Sequence, residues 1–239
     1  MKRFYSSVTV CEAAQGWRIE LDQRPVQTVG GAPQLLGTQA LADSMAEEWR
    51  QQGSEIDVRS FPFRDLADLA IDDVTNNVDD TVAKLLQFAQ TDTLCYRAEP
   101  GEPLRLRQDE VWEPLLQAAE TRQAVRFARI SGIIHHPQPA DTLARLRAHL
   151  VAMDPFTLVA VQMMAGLAGS LIIALAALEP EADVEQLWNA ANLEEDWQAL
   201  HWGWDTDALK DRTIRKDAFA TASRFAALAR HGKLARHDK

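Results

Sequence analysis

Few groups in this sequence could do chemistry: Cys95, the pair His135-His136, the acidic doublets Asp72-Asp73 and Asp79-Asp80, and Glu194-Glu195. Adjacent histidines invite a metal, but no second ligand cluster stands at helical or loop spacing around them, so they read as a surface turn before Pro137. Contiguous aspartates on a helix point about 100° apart and suit a solvated face better than a cation. Cys95 has no histidine near it in sequence to activate it and reads as a small buried residue. Glu194 or Glu195 as a general acid would need a complementary base, nucleophile or cofactor loop, and none accompanies them. No Gly-rich phosphate cradle, metal-ligand spacing or nucleophile elbow occurs. The expectation is therefore no catalytic residue, no cofactor and no metal. The alternative is a hydrolase or metal-dependent enzyme using the acids of the late helix together with His135 and His136.

Those late acids sit in residues 181–204, EADVEQLWNAANLEEDWQALHWGW. At about 100° per residue, Val184, Trp188, Ala191, Glu195, Gln198 and Trp202 fall within about 40° of one line. Leu193, Trp197, Leu200 and Trp204 fall opposite. A glutamate in line with an apolar face must find a donor, stay partly wet or become neutral. Either it bonds a neighbouring helix or it belongs to a surface that holds a partner.

The element expected to organise the rest is the uncharged run Phe156 to Leu178. It could span a hydrocarbon core of roughly 30 Å. Its flanks, Asp154-Pro155 and Glu179-Pro180-Glu181, are wrong for a span, so it is expected to be a core helix surrounded by other helices. Gly166, Gly169 and Ser170 would let a neighbouring backbone approach closely. The 239 residues suffice for one large or two smaller domains, and a net charge of −10 argues against nucleic acid or an anionic membrane as partner. Cys11 and Cys95 read as free thiols of a reducing compartment. With no signal-peptide pattern at the start, the expected location is the bacterial cytoplasm, or the mitochondrial matrix for a processed eukaryotic form.

The fold expected is α+β: a small β-rich N-terminal domain with one helix over residues 1–60, then a helical domain over 61–239 packed around the central apolar helix. Val8 and Val10, then Trp17, Ile19 and Leu21, then Val26 and Thr28 predict three short strands, with Asp22 to Pro25 as a turn. Thr38 is the expected N-cap of a helix carrying Leu41, Ala42, Met45, Ala46 and Trp49. Leu66 to Ala89 reads as helix. Pro114 predicts a kink or a fresh start within 104–122, and Asp141 a cap for the helix carrying Leu143, Leu146 and Leu150. From Arg224 to Lys239 a basic tail is expected to fray.

Several of these pieces also resemble one family, the F1-ATPase assembly chaperones that protect the α subunit of ATP synthase. They are Leu21-Asp-Gln-Arg-Pro-Val-Gln-Thr28, Leu41-Ala42 with Glu48-Trp49 and Gln52, Leu66-Ala67 with Ala70-Ile71-Asp72, Thr91-Asp-Thr-Leu-Cys-Tyr-Arg97, Gln108 with Trp112, and Leu193-Glu-Glu-Asp-Trp-Gln198 with Trp202-Gly203. Gly30-Gly31 departs from the family's proline-containing strand continuation, and Trp204-Asp-Thr-Asp207 lacks the His-Asp step of eukaryotic relatives. The resemblance implies a non-enzyme that holds unassembled α subunit soluble until β replaces it. It implies Glu194, Glu195, Gln198 and Trp202 as the partner-binding patch, and a mainly structural role for Trp49, Asp72 and Asp92.

Overall fold

The computed structural model describes residues 1–203 and 205–231. By contacts the chain divides into two compact units, one of Met1–Val78, Asp154–Ala160 and the residues from Arg224 on, the other of Asp79–Met153 and Val161–Ser223. As the pattern of elements predicts, a small sheet precedes a helical remainder, an α+β fold.

In the first unit, strands β1 (Val8–Ala13), β2 (Gly16–Leu21) and β3 (Arg24–Pro25) form an antiparallel sheet in that order. The third strand falls at Arg24-Pro25, inside the expected Asp22 to Pro25 turn, and Val26 to Thr28 lie beyond it, because the chain turns on two residues only. Asp22 and Gln23 both have positive φ, 47° and 67°, the conformation a two-residue hairpin needs to match strand twist. Asp22 suits it, accepting from Ser6 N and from Ser7 N and Oγ. Gln23 has no such compensation. Gln23→Gly should raise stability by about 0.5–1 kcal/mol, read as a higher urea midpoint at unchanged slope.

Helix α1 (Gln39–Arg50) covers the sheet as expected: Thr38 Oγ1 accepts from Leu41 N, and Leu41, Ala42, Met45, Ala46 and Trp49 are buried. Helix α2 (Pro62–Leu69) has no cap from its own N-terminal residue. Glu48 of α1 supplies one instead, accepting from Phe63 N at 2.7 Å and Arg64 N at 3.1 Å. Beyond α2 a π-helical turn, Ala70–Val74, aims Asp72 at the loop after β3. There Asp72 accepts from Thr28 Oγ1 at 2.6 Å and Gly30 N at 2.9 Å. A Cβ on Gly30 would lie 2.8 Å from the Asp72 carboxylate, which explains a glycine where the family pattern led us to expect otherwise.

The second unit contains α3 (Val78–Gln90) from Asp79 on, β4 (Tyr96–Arg97), α4 (Pro103–Gln123), β5 (Ile130–Ser131) and α5 (Ala140–Val151). Helix α4 runs through Pro114 without a fresh start. Pro114 and Glu110 are both exposed, so the carbonyl that loses its donor faces water. Asp141 is not the cap of α5; Pro139 holds that position and Asp141 lies in the first turn.

The apolar run is buried, but it is two helices, α6 (Pro155–Ala168) and α7 (Leu171–Ala176). Gly169 turns the chain at φ +61°, and Ser170 caps α7 by accepting from Ile173 N. Gly166 is exposed with nothing within 4 Å of a Cβ, so it serves no close approach. The break is held by the segment Asp92-Thr93: Thr93 Oγ1 donates to Gly169 O at 2.9 Å, and Ser170 Oγ and Ile172 N donate to the Asp92 carboxylate at 2.7 and 3.0 Å. Among the described residues no helix is long and apolar enough to cross a membrane.

Three more helices follow: α8 (Val184–Ala191), α9 (Leu193–Trp202) and α10 (Thr206–Arg230). The division between the two units falls within α6 and within α10. The expected fraying from Arg224 does not hold for the described residues. Phe225, Ala226 and Ala229 are buried at helical spacing, Phe225 lies 5.9 Å from Phe63, and Leu228 O accepts from Thr38 Oγ1 at 2.7 Å. Residues 232–239 lie outside the described chain.

Candidate partner-binding surface

Residues 181–204 do not form the single helix assumed by the wheel. Asn192, at φ −105° and ψ 20°, ends α8 and starts α9, its side chain donating to Trp188 O at 2.8 Å. The break re-aims everything after it. Trp188 is buried at 1% exposure against Phe219, whereas Trp202, drawn on the same line by the wheel, is 81% exposed. Leu200, drawn on the opposite face, is 80% exposed as well. Trp204, drawn on that face too, lies outside the described residues.

Helix α9 is positioned from two sides. On one, α4 supplies Trp112, whose Nε1 donates to Ala190 O at 2.7 Å, and Gln108, whose Nε2 donates to Glu194 Oε1 at 2.6 Å. Gln108 is fully buried and its own Oε1 accepts from Ala98 N, so its orientation is fixed before it meets Glu194. The frame behind it is ionic. Arg97, at the end of the Thr91–Arg97 motif, is buried and pairs with Asp109 at 2.5 Å and Glu113 at 2.8 Å on α4. Hydrogen bonding from Arg129 chiefly holds the Glu113 carboxyl down at about 2.

On the other side, α10 supplies Arg212 and Arg215. Arg212 pairs with Asp196 at 2.7 Å and with Glu195 at 3.4 Å; Arg215 pairs with Glu195 at 3.0 Å. Glu185 on α8 pairs with Lys216 at 2.5 Å. Glu195 is thus the hub of an ion-paired clamp between α9 and α10. Shielding by neighbouring atoms pushes the carboxyls of Glu194 and Asp196 above their ordinary values, with Gln108 and Arg212 respectively pulling back.

The four residues singled out from sequence therefore divide by role. Glu194 and Glu195 are engaged within the chain, whereas Gln198 and Trp202 face solvent one turn apart on the same short helix. Leu200 and the two arginines were missed. A signal existed for the arginines: they stand at i and i+3 in a helix, 17 and 20 residues after Glu195 of an acidic run.

The groups that could have done chemistry are occupied elsewhere. His135 Nδ1 shares a hydrogen bond with Tyr96 OH at 3.2 Å, and both histidines are exposed. Asp79 pairs with Arg147 and Asp73 accepts from Asn77. Burial pushes the Cys95 thiol well above its ordinary value, which leaves it unreactive. Among the described residues no group of three or more His, Cys, Asp or Glu could hold a metal ion.

Comparison with known proteins places these features in context. A family model described as "ATP12 chaperone protein" matches residues 2–120. The crystal structure of Atp12 from Paracoccus denitrificans is 35% identical, covers 96% of this chain and 98% of its own, and superposes with a TM-score of 0.91. A mutant of the same protein gives the same values. "Protein atp12, mitochondrial" of Schizosaccharomyces pombe is 28% identical over 204 residues, which is 80% of this chain and 69% of that protein.

Proposed function

The chain belongs to the ATP12 family of chaperones for ATP synthase assembly, and from that membership we propose that it binds the unassembled F1 α subunit and keeps it soluble until β takes its place. The observation that carries the choice of surface is the end of α9, where Trp202 stands 81% exposed one turn beyond the exposed Gln198, with Leu200, 80% exposed, on the other side of the helix. An indole so exposed at the end of a short helix suits an anchor that buries against an assembly surface of the client. Covering that surface lowers the population of aggregation-competent client by mass action. Release to β requires an interface weaker than the final one, and a small apolar centre with a polar rim meets that requirement.

No catalytic step is needed for this role, and the engaged state of the acids and of Cys95 favours a binding protein over an enzyme. The bacterial cytoplasm, or the matrix for a processed eukaryotic form, is where such a client is met before assembly.

The test is co-expression of α or β with the tagged chain, followed by pull-down. Recovery of α and not β is expected; retention of β alone would overturn the reading. Trp202→Ala should weaken retention of α about 10- to 30-fold, the size of an anchor residue at an interface centre. Its unfolding free energy in urea should stay within about 0.5 kcal/mol of the parent, since the indole is mostly in water. A variant that still retains α fully would remove Trp202 from the surface.

A further inference from the structure

The unit that contains the sheet holds a half-open cleft of about 440 Å³, within the ~300–1,000 Å³ range of sites that take small ligands or single side chains. It is lined by Tyr5, Leu21, Val26 and Trp49, with Phe4 and Val29 standing 63% and 83% exposed beside them. Most polar groups on the cleft are already engaged. Tyr5 OH donates to Trp49 O at 2.7 Å. Asp22 is taken up by Ser6 and Ser7, and Asp68 accepts from Gln34 Nε2 at 2.6 Å and Val29 N at 3.3 Å. Arg64 pairs with Asp65 at 2.7 Å while its guanidinium lies over the Phe61 ring.

Arg24 is the one charged group on the cleft outside these bonds: it lines the cleft, feels Asp22 only at a distance, and makes no ion pair or side-chain hydrogen bond among the described residues. A hollow of mixed lining with exposed apolar neighbours and one cation outside any ion pair is complementary to an apolar side chain next to a carboxylate.

We infer that this cleft is a second client contact, receiving an exposed segment in which an aromatic or large aliphatic residue is followed by an acidic one. For the identity of the client the inference rests on the reading of α9 above. Two weak contacts on one client would raise its retention without making either contact hard to release.

The cleft can be tested without the client. The isotopically labelled full chain is titrated with N-acetyl-phenylalanyl-glutamate amide, its phenylalanyl-lysine counterpart and its alanyl-glutamate counterpart, and amide and indole shifts are followed by NMR. The acidic phenylalanyl probe should bind in the millimolar range and shift Tyr5, Val26, Val29 and the Trp49 indole. The lysine probe should bind about fivefold more weakly, as expected of one exposed ion pair, and the alanyl probe should leave the cleft unshifted. In Arg24→Glu the order of the acidic and basic probes should invert. Shifts outside the cleft, no shifts, or equal affinity for the two phenylalanyl probes would overturn the inference and leave the α9 reading standing. Failure of the chain to retain α, with these shifts observed, would remove the client reading and leave the cleft.

Discussion

A Glu195→Lys chain should lose most of its retention of α subunit, and Arg215→Glu in the same chain should return much of it. The reason is the clamp: Glu195 lies 3.0 Å from Arg215 and 3.4 Å from Arg212, so a lysine there sets three cations together between α9 and α10. Pairs this exposed are worth at most about 1 kcal/mol each, so the fold should survive while α9 loses its fixed position. Retention in pull-down is expected to fall at least tenfold, since a displaced helix carries Leu200 and Trp202 with it. Restoration by Arg215→Glu marks Glu195 as a positioning residue; no restoration would mean that its carboxylate meets the client directly. Glu194→Lys is the contrasting case. It forfeits the 2.6 Å bond from Gln108 and leaves the clamp intact, so its effect should be smaller and should not respond to changes at Arg215.

The largest effect on stability is expected at Asp92. Its buried carboxylate accepts from Leu94 N, Ser170 Oγ and Ile172 N, so Asp92→Ala strands three buried donors at the break between α6 and α7. At about 1–3 kcal/mol for each donor, less the relief of a buried charge, a loss of roughly 3–5 kcal/mol is expected in urea unfolding. Asp92→Asn retains an acceptor and should cost less. The pH dependence has a definite sign. Burial raises the Asp92 carboxyl from 3.8 to about 6, against the pull of its donors. The folded state therefore holds this proton more tightly than the unfolded chain. The contribution is full below about pH 4 and is lost as pH rises through about 6. Its size is roughly 3 kcal/mol. The stability advantage of the parent over Asp92→Asn should accordingly shrink by up to that amount between pH 4 and pH 7. An advantage that stays constant, or grows with pH, would show that the carboxyl does not titrate in this way.

Both predictions depend on contacts between residues far apart in sequence, and they mark where reading the chain alone stops. The Thr91–Arg97 motif is visible in the sequence, and Asp92 within it reads as structural. Its work became clear only with its partners: Asp92 and Thr93 hold the Gly169-Ser170 break, and Arg97 pairs with two acids on α4. Likewise Asp72 was read as structural, but what it holds is a glycine 42 residues away in the chain.

The sequence by itself determined the α+β class, the first helix with its Thr38 cap and five buried residues, the burial of the apolar run and the family. These follow from local periodicity, composition and motif order, which each segment carries within itself. The tertiary structure decided where helices stop and which way their last turns face. Asn192 and Gly169-Ser170 look ordinary in a periodic pattern, yet a break at either rotates every later side chain to a new direction, and only a bonded partner fixes the break. That is why Glu195 meets two arginines and Trp202 meets solvent, though a single wheel put both on one line with the buried Trp188.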